Sequence, residues 1–559
     1  MNEHEKPEDS RRDDMLGWLG LTDAPDFRRA RPLGALVGVV LILLFVGALV
    51  AAFVTLFSVV VAPAGTSLGA GALIVAILSA PFLIWGTIIK HRALGFQKEG
   101  HLTDRISKAV EQLGAEKTVS YIARNVTRQA RPPEQREAGE TDWVDQLQKL
   151  DRASLTHDRI VEEGAGYNDW QVFSETVPNI EVRIGGILSL ERIAQDSTAY
   201  DHGRDHVRVM EILCAYVREN APASGAKDHE FGDWVPLKDD PTEAEHAAHL
   251  ENRQKRFGER GIYGLVYQWA RTLPPPREDI ALALRVIGRR TAKQRLAEAA
   301  WPDAPDASTR WVFDAACPSL PDDPGEAALS QATLADFRAK LNAWKTDIRA
   351  FAGYRPDLRS TNLQGADLSG LTLSGAQLFG ARMEGANLSL ARMEGADLRG
   401  ARMEGAYFGR ARMEGADLGE ARMEGAYLGS ARMEEAELRG AQMEEADLTA
   451  ARMEGADLRG ARMEGADLSR ARMERANLGW ARMEGADLRG ARMGVGGAAI
   501  SQKQINSAFG DGSTILPPTL TRPAHWPVHT LLWNGSHTEW HKWRASPATY
   551  TPPPAPSGA

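Results

Sequence analysis

From Leu363 to Met493 the chain repeats itself every five residues, a period that belongs to neither an α-helix nor a plain strand. The unit is small-x-large-x-x. Small residues fall at Ala366, Ala376 and Ala381, and large ones at Leu363, Leu368 and Leu378. A ten-residue decoration, A-R-M-E-G-A-D-L-x-x, overlies it and places Met at every tenth position from Met383 to Met493. Residues two apart share a face of an extended chain, and the remaining two suffice for a corner. Gly385, Gly395, Gly405 and Gly415 stand at such corners, where positive φ is common. Side plus corner, repeated, winds the chain into stacked coils with large side chains inside. The backbone groups pair with the coils above and below.

The decoration fixes the number of sides. With four sides, residues twenty apart stack. From Met383 onward the Met columns then hold only Met, and the alternate columns only Leu or Phe408. A three-sided coil would mix them. The 27 units from Leu363 to Met493 make nearly seven coils, a rod of about 30 Å at ~4.8 Å per coil.

This pattern resembles the pentapeptide-repeat family, whose signature is A-(D/N)-L-x-x. The resemblance covers Leu363 to Met493. It implies a right-handed quadrilateral β-helix with one unit per side, and Met at alternate centres departs from the commoner Leu or Phe. Met is apolar and pliable, so the core should tolerate it. Arg precedes and Glu follows most Met residues, and these columns read as a solvated, mutually compensating face. Tyr407 and Tyr427 are outward, twenty apart, and form the candidate interaction surface.

The remainder of the chain sets the rod in context. Residues 1–31 are polar and read as disordered, with a short apolar patch at Leu16, Trp18, Leu19 and Leu21. Between Pro32 and Ile89 there is no Asp, Glu, Lys, Arg or His. Two apolar runs, 33–61 and 70–89, are each long enough to cross a bilayer, and the link between them carries no charge. A two-helix transmembrane hairpin is expected. Arg28, Arg29 and Arg31 before it, and Lys90, Arg92 and Lys98 after it, place both termini in the cytoplasm. A reducing compartment agrees with only two cysteines, Cys214 and Cys317.

Residues 90–352 read as a mainly helical cytoplasmic region with polar insertions. The segments Lys108–Gly114, Ile180–Ala194 and Arg204–Leu213 resemble a helical region that accompanies membrane hairpins and pentapeptide repeats in bacterial proteins, and its helices resemble HEAT-type pairs. That resemblance implies contact between the first two segments, although Ala115–Asn179 intervenes as an insertion. Residues Arg124–Thr141 read as a loop, and Asp205 as an N-cap. Phe337, Leu341, Trp344, Ile348 and Phe351 mark an amphipathic helix expected to cover the first coil of the rod, itself assigned to 353–493. After the repeat, 494–516 reads as a capping segment, with Ser501 and Gln504 spaced as a capping box. A Pro/Trp-rich tail follows over 517–559.

No nucleotide loop, nucleophile elbow or metalloprotease motif is present. His525, His529, His537 and His541 are spaced in fours. Pro527 interrupts the first pair and no cysteine assists, so they read as surface or packing residues. No catalytic residue, metal or cofactor is expected, nor a small-molecule or nucleic-acid partner. The expected role is a non-enzymatic membrane-tethered scaffold, at the bacterial inner membrane, presenting its rod to a protein. The alternatives are a DNA mimic acting on a type II topoisomerase, and an enzyme or signalling activity in the helical region. The mimic requires a strongly acidic rod, yet 18 Arg stand against 22 Asp plus Glu between Leu363 and Met493.

Overall fold

The computed structural model describes residues 103–129, 143–149, 171–200, 202–232, 234–235, 242–258, 264–319, 331–493, 499–531 and 533–555, with seven residues between 43 and 57. The chain divides into two compact units, Met1–Arg105 and Ile106–Ala559. In the first, Leu43, Val46, Gly47, Val50, Phe53, Val54 and Phe57 are helical, and the large apolar side chains among them are exposed. Among the described residues no helix is long and apolar enough to cross a membrane. The rest of the hairpin, and the N-terminal 31 residues, lie outside the described residues.

The second unit is built on the rod. Its bridges are parallel and join each residue to the one twenty further on, as Asp397 to Asp417 and Tyr407 to Tyr427. Four units therefore make one coil, as the pure columns require. Every central Leu, Met and Phe from Leu358 to Met493 is buried, with the inward Ala residues beside them. Each such Leu, Met or Phe contributes roughly 1.5–3 kcal/mol, most of it offset by ordering the chain.

Helices α1 (Ile180–Tyr200), α2 (Arg204–Asn220), α3 (Glu243–Phe257), α4 (Leu265–Thr272), α5 (Glu278–Gly288) and α6 (Ala292–Ala300) precede the rod. The stripes of α1, α2 and α5 meet in one core, around Ile187, Leu190, Met210, Leu213, Ile280 and Leu284. Asp205 lies inside the first turn of α2 and bonds Arg208 at 2.9 Å; the N-cap is Gly203, at φ 88°. A cap there must turn left-handed, which favours Gly over Asp.

The insertion 115–179 contains a sheet. Strand β1 (Glu116–Gln129) lies between β2 (Trp143–Lys149) and β3 (Gln171–Pro178), all antiparallel. The strand runs through 124–129, where a loop was expected, because β2 pairs there in register from Ala123 to Gln129. The excursion closes on itself, since Asn179 N–H donates to Ala115 O at 3.0 Å. The flanking helical segments therefore do pack together. A Cβ on Gly186 would stand 2.8 Å from Ala109 O.

The first coil is covered by the α2 and α5 ends, not by the amphipathic helix. Ala223 N–H donates to Ser360 O, Asn362 N–H to Ala221 O and Thr372 N–H to Gly288 O, at 2.7–2.8 Å. Leu371, the irregular residue where the repeat wants Ala, packs against Gly288 at the end of α5. Beneath this contact Glu298 is fully buried between His206 and Arg290, each at 2.8 Å, and Arg290 donates onward to Thr372 O.

Helix α7 (Gln331–Arg349) runs along the flank of the rod instead. Its Ile348 lies over Gly395, Trp344 over Gly415, and Phe337 against the Arg475 guanidinium. These glycines are on successive coils, so the helix follows the rod axis.

At the far end, α8 (Gln502–Asn506) opens with the Ser501/Gln504 capping box. Gln504 donates to Leu478 O and Ala481 O. Phe509 and Ile515 then continue the ladder from Asp487 and Arg492. The tail returns over this end. Trp526 is buried with its Nε1 on Ala508 O, and His525 stacks on Trp543 at 5.2 Å. Helix α9 (Trp533–Ala545) packs Trp540 and Trp543 against Phe509. Among the described residues both ends of the solenoid thus carry partners for part of their exposed backbone edge.

Candidate interaction surface: covered and bare faces of the rod

The four faces are named here by their central columns: the Leu358, Met383, Leu368 and Met393 faces. On the two Met faces the charges are not solvated as the sequence suggested. Glu384, Glu404, Glu424, Glu444 and Glu464 on one, and Glu394, Glu414, Glu434 and Glu454 on the other, are buried. Most of these carboxylates sit between the arginine of their own coil and that of the next; Glu424 and Glu444, on either side of Gln442, have one arginine each, Arg422 and Arg462. Arg402 reaches Glu384 at 3.3 Å and Glu404 at 3.1 Å, and Arg412 reaches Glu394 at 3.0 Å and Glu414 at 3.4 Å.

Helices laid along these faces account for the burial. On the Met383 face α4 crosses Gly385 and Gly405 at Ala270, and Arg253 of α3 covers Gly465. On the Met393 face Phe313 covers Gly375 and Gly395, with α7 beside it. A corner residue with a side chain would collide: a Cβ on Gly385 would lie 2.5 Å from Ala270 O.

The Leu faces behave differently. Their corners have the same positive φ but carry Leu390, Arg410, Glu420, Ser430, Ala450, Arg470 and Trp480. A Cβ on Gly370, Gly400 or Gly460 would meet nothing within 4 Å. Glycine is therefore retained on the Met faces for close approach, since the backbone conformation alone does not demand it. The Leu faces are mostly open, touched by the helices only at their margins, as at Tyr407 and Glu437.

Three Met-face corners break this rule, and each is an anchor. Glu435 takes Lys345 of α7 and Arg475, the latter at 3.1 Å. Arg475 also meets Phe337 of α7. Glu445 receives Arg253 of α3 at 2.5 Å and both terminal nitrogens of Arg544 from α9. In the same coil Gln442 replaces the usual Arg. That coil lacks one cation and gains one anion, and two arginines from outside the rod restore the balance. The combination of Gln442 and Glu445 was visible in the sequence as a double deviation from the repeat.

Burial of the Glu column leaves its mark on acidity. Burial, with the Glu464 and Glu424 charges, pushes the Glu444 carboxyl up to about 8. Burial and Glu404 push Glu384 and Glu424 up to about 7. The folded state then holds protons that the unfolded chain releases above pH ~4.5. Stability from these groups is complete below that pH and falls as pH rises toward 8. Asp457, held at about 2 chiefly by the Arg459 hydrogen bond, acts in the opposite sense, but its window lies below pH 4. The urea midpoint is expected to fall between pH 5 and pH 8, since each pKa unit represents about 1.4 kcal/mol. A midpoint that rises across that interval excludes the account.

Tyr407 and Tyr427 lie on the Leu368 face. Tyr407 is half-buried, its hydroxyl 2.5 Å from that of Tyr267 on α4. It meets the chain's own helix, which its outward position in the repeat could not reveal. Tyr427 is exposed and its ring lies against Gly409 and Gly429. Leu390 is exposed on the same face. A shallow cleft of about 600 Å³, lined by Lys227, Glu230, Phe231, Leu265 and Trp269, lies beside α4. Among the described residues no cluster of His, Cys, Asp and Glu is arranged to hold a metal ion.

A four-sided solenoid, flanked by helices on two faces and largely open on two, defines a protein whose recognisable module is a β-helical rod. The pentapeptide-repeat family model matches in eight copies, over 357–395, 391–429, 416–455 and 451–490. The rod, residues 357–490, belongs to the pentapeptide-repeat family. No curated protein matches the chain. Among solved structures it is similar to HetL, a pentapeptide repeat protein involved in heterocyst differentiation regulation from the cyanobacterium Nostoc sp. Strain PCC 7120. The two are 24% identical over 31% of this chain and 89% of that one, with a TM-score of 0.23. It is also similar to QnrB1, a plasmid-mediated fluoroquinolone resistance protein, with 17% identity over 28% of this chain and 82% of that one, TM-score 0.23. A third is a pentapeptide repeat protein of the Arabidopsis thaliana thylakoid lumen, 24% identical over 25% of this chain and 68% of that one, TM-score 0.09.

Proposed function

We propose that the chain is a non-enzymatic, membrane-tethered scaffold whose rod offers its bare faces to a protein partner in the bacterial cytoplasm. The observation that carries this reading is the asymmetry of the rod. Its own helices cover the two Met faces, while the two Leu faces stay largely open, with every coil fixed by its neighbours. A surface held so rigidly loses little freedom on binding. The tether rests on the uncharged stretch from Pro32 to Ile89 and its basic flanks. Protease accessibility in inverted vesicles tests the orientation.

The contact spot is assigned to the Leu368 face around Tyr427 and Leu390, where exposed apolar groups sit on a rigid base. Proximity labelling from the full chain in intact membranes identifies the partner. Tyr427→Glu with Leu390→Asp is expected to reduce its recovery at least tenfold with the thermal midpoint of the rod unchanged. Recovery equal to wild type would refute the assignment. A DNA-mimic role has less support, because the Glu columns are buried under paired arginines and present no phosphate-like field.

A further inference from the structure

The Leu358 face carries a charge pattern that is complementary to itself. Its central leucines point inward, so the residues on either side of each one point out. One edge is a column of acids, Asp397, Asp417, Glu437 and Asp457. The other edge carries Arg399, Arg439 and Arg459, with Gly419 opposite Asp417. Acid and base at each level already find each other within the chain: Arg399 meets Asp397 at 2.7 Å, and Arg459 meets Asp457 at 2.7 Å. Arg439 reaches Asp457 at 2.6 Å, and Glu437 also accepts from Arg349 of α7 at 3.0 Å. Arg399 and Arg439 remain exposed. Two large apolar groups lie on the same side, Phe379 at 47% exposure and Trp480 at 84%.

We propose that this face pairs with the same face of a second copy, the two rods side by side and parallel. A two-fold axis running along the rods exchanges left and right edges at constant height. It sets the acid column of one copy against the arginine column of the other, level by level, in both directions. A two-fold axis across the rods does the opposite, bringing acids to acids and arginines to arginines. The charges therefore choose the parallel arrangement, which is the role charge plays best at an interface. Burial of Phe379 and Trp480 supplies the apolar part. The rod is about 30 Å long, and a contact strip roughly 15 Å wide would bury about 900 Å² over both copies. That lies just below the specific-interface range of about 1,200–2,000 Å², so pairing is weak in dilute solution and favoured by confinement. Self-pairing goes beyond the scaffold reading and leaves the Leu368 face free for another protein.

The test uses the full chain in detergent micelles, by mass photometry over a concentration series. Wild type is expected to pass from monomer to dimer. The triple variant Arg399→Glu, Arg439→Glu, Arg459→Glu makes the face acidic from Asp397 to Arg459 and is expected to weaken pairing at least tenfold. Adding Asp397→Arg, Glu437→Arg and Asp457→Arg swaps the columns, restores complementarity and is expected to restore the dimer. Geometry is read by mixing Asp417→Cys chains with Gly419→Cys chains, which form a disulfide only if equal levels face each other. A wild-type monomer at all concentrations, a dimer indifferent to the triple variant, or absence of the mixed disulfide each overturns the proposal. None of these readouts depends on whether the scaffold's protein partner exists.

Discussion

Glu445→Gly makes the sequence more regular and is expected to loosen the protein. Glycine is the repeat's own residue at that corner and suits the φ of 56° that Glu445 adopts, so the rod should gain up to ~1 kcal/mol locally. The loss is larger. Arg253 is buried, with the Glu445 carboxylate as its ion-pair partner, and Arg544 shares it. Removing one member of a buried ion pair typically costs about 3–5 kcal/mol. Hydrogen exchange on the full chain should accelerate at least tenfold in α3 and α9 and remain unchanged within 357–490. Gln442→Arg adds a cation beside two others and should accelerate the same helices. Glu420→Gly, at φ 59° on a bare face, is the control and should leave α3 and α9 as they were. Unaltered exchange of both helices in Glu445→Gly would show that the anchor has no structural weight.

The second large effect separates two glycines five residues apart. Gly395 and Gly400 have almost the same φ, 62° and 60°. Leucine at either position incurs the same backbone strain, on the order of 1–2 kcal/mol. At Gly395 a Cβ would lie 2.7 Å from the Phe313 ring and 2.8 Å from Ile348, whereas at Gly400 it meets nothing. Overpacking of this kind typically adds about 1–3 kcal/mol. Gly395→Leu should therefore unfold at a urea concentration well below Gly400→Leu, and strip α7 from the rod first. Equal midpoints for the two variants would mean that corner glycines serve only their own turn.

The rod was almost fully legible in the sequence. Its period, its four sides and its buried columns follow from where Ala, Leu and Met recur. Ser501 and Gln504 announced the distal cap. What could not be read was the destination of the helices. Phe337, Trp344 and Ile348 show an apolar stripe, but a stripe does not say whether it meets an end or a flank, so the helix was expected on the first coil. Alternating Arg and Glu look like a solvated surface. Their burial depends on segments distant in the sequence, such as Phe313 and, from α3, Arg253. The clue was present in another form: glycine at most Met corners and varied residues at Leu corners. The insertion 115–179 was opaque because its strands pair mainly with each other, and their alternation is weak. Tyr407 was legible as outward, but its partner Tyr267 belongs to a different element.

The sequence repeats every ten residues, yet the solid repeats every twenty. Loss or gain of one ten-residue cassette, the easiest slip for so uniform a gene, would turn everything beyond it through half a revolution. The bare Leu358 side would continue as the Leu368 side, and the anchors at Glu435 and Glu445 would change flanks while their upstream partners Lys345 and Arg253 stayed put. Cassettes can be tolerated only in pairs. Even a pair inserted between Gly395 and Arg475 would stretch the span that α7 bridges by about 4.8 Å. The flanking helices thus act as a gauge that holds the number of coils constant.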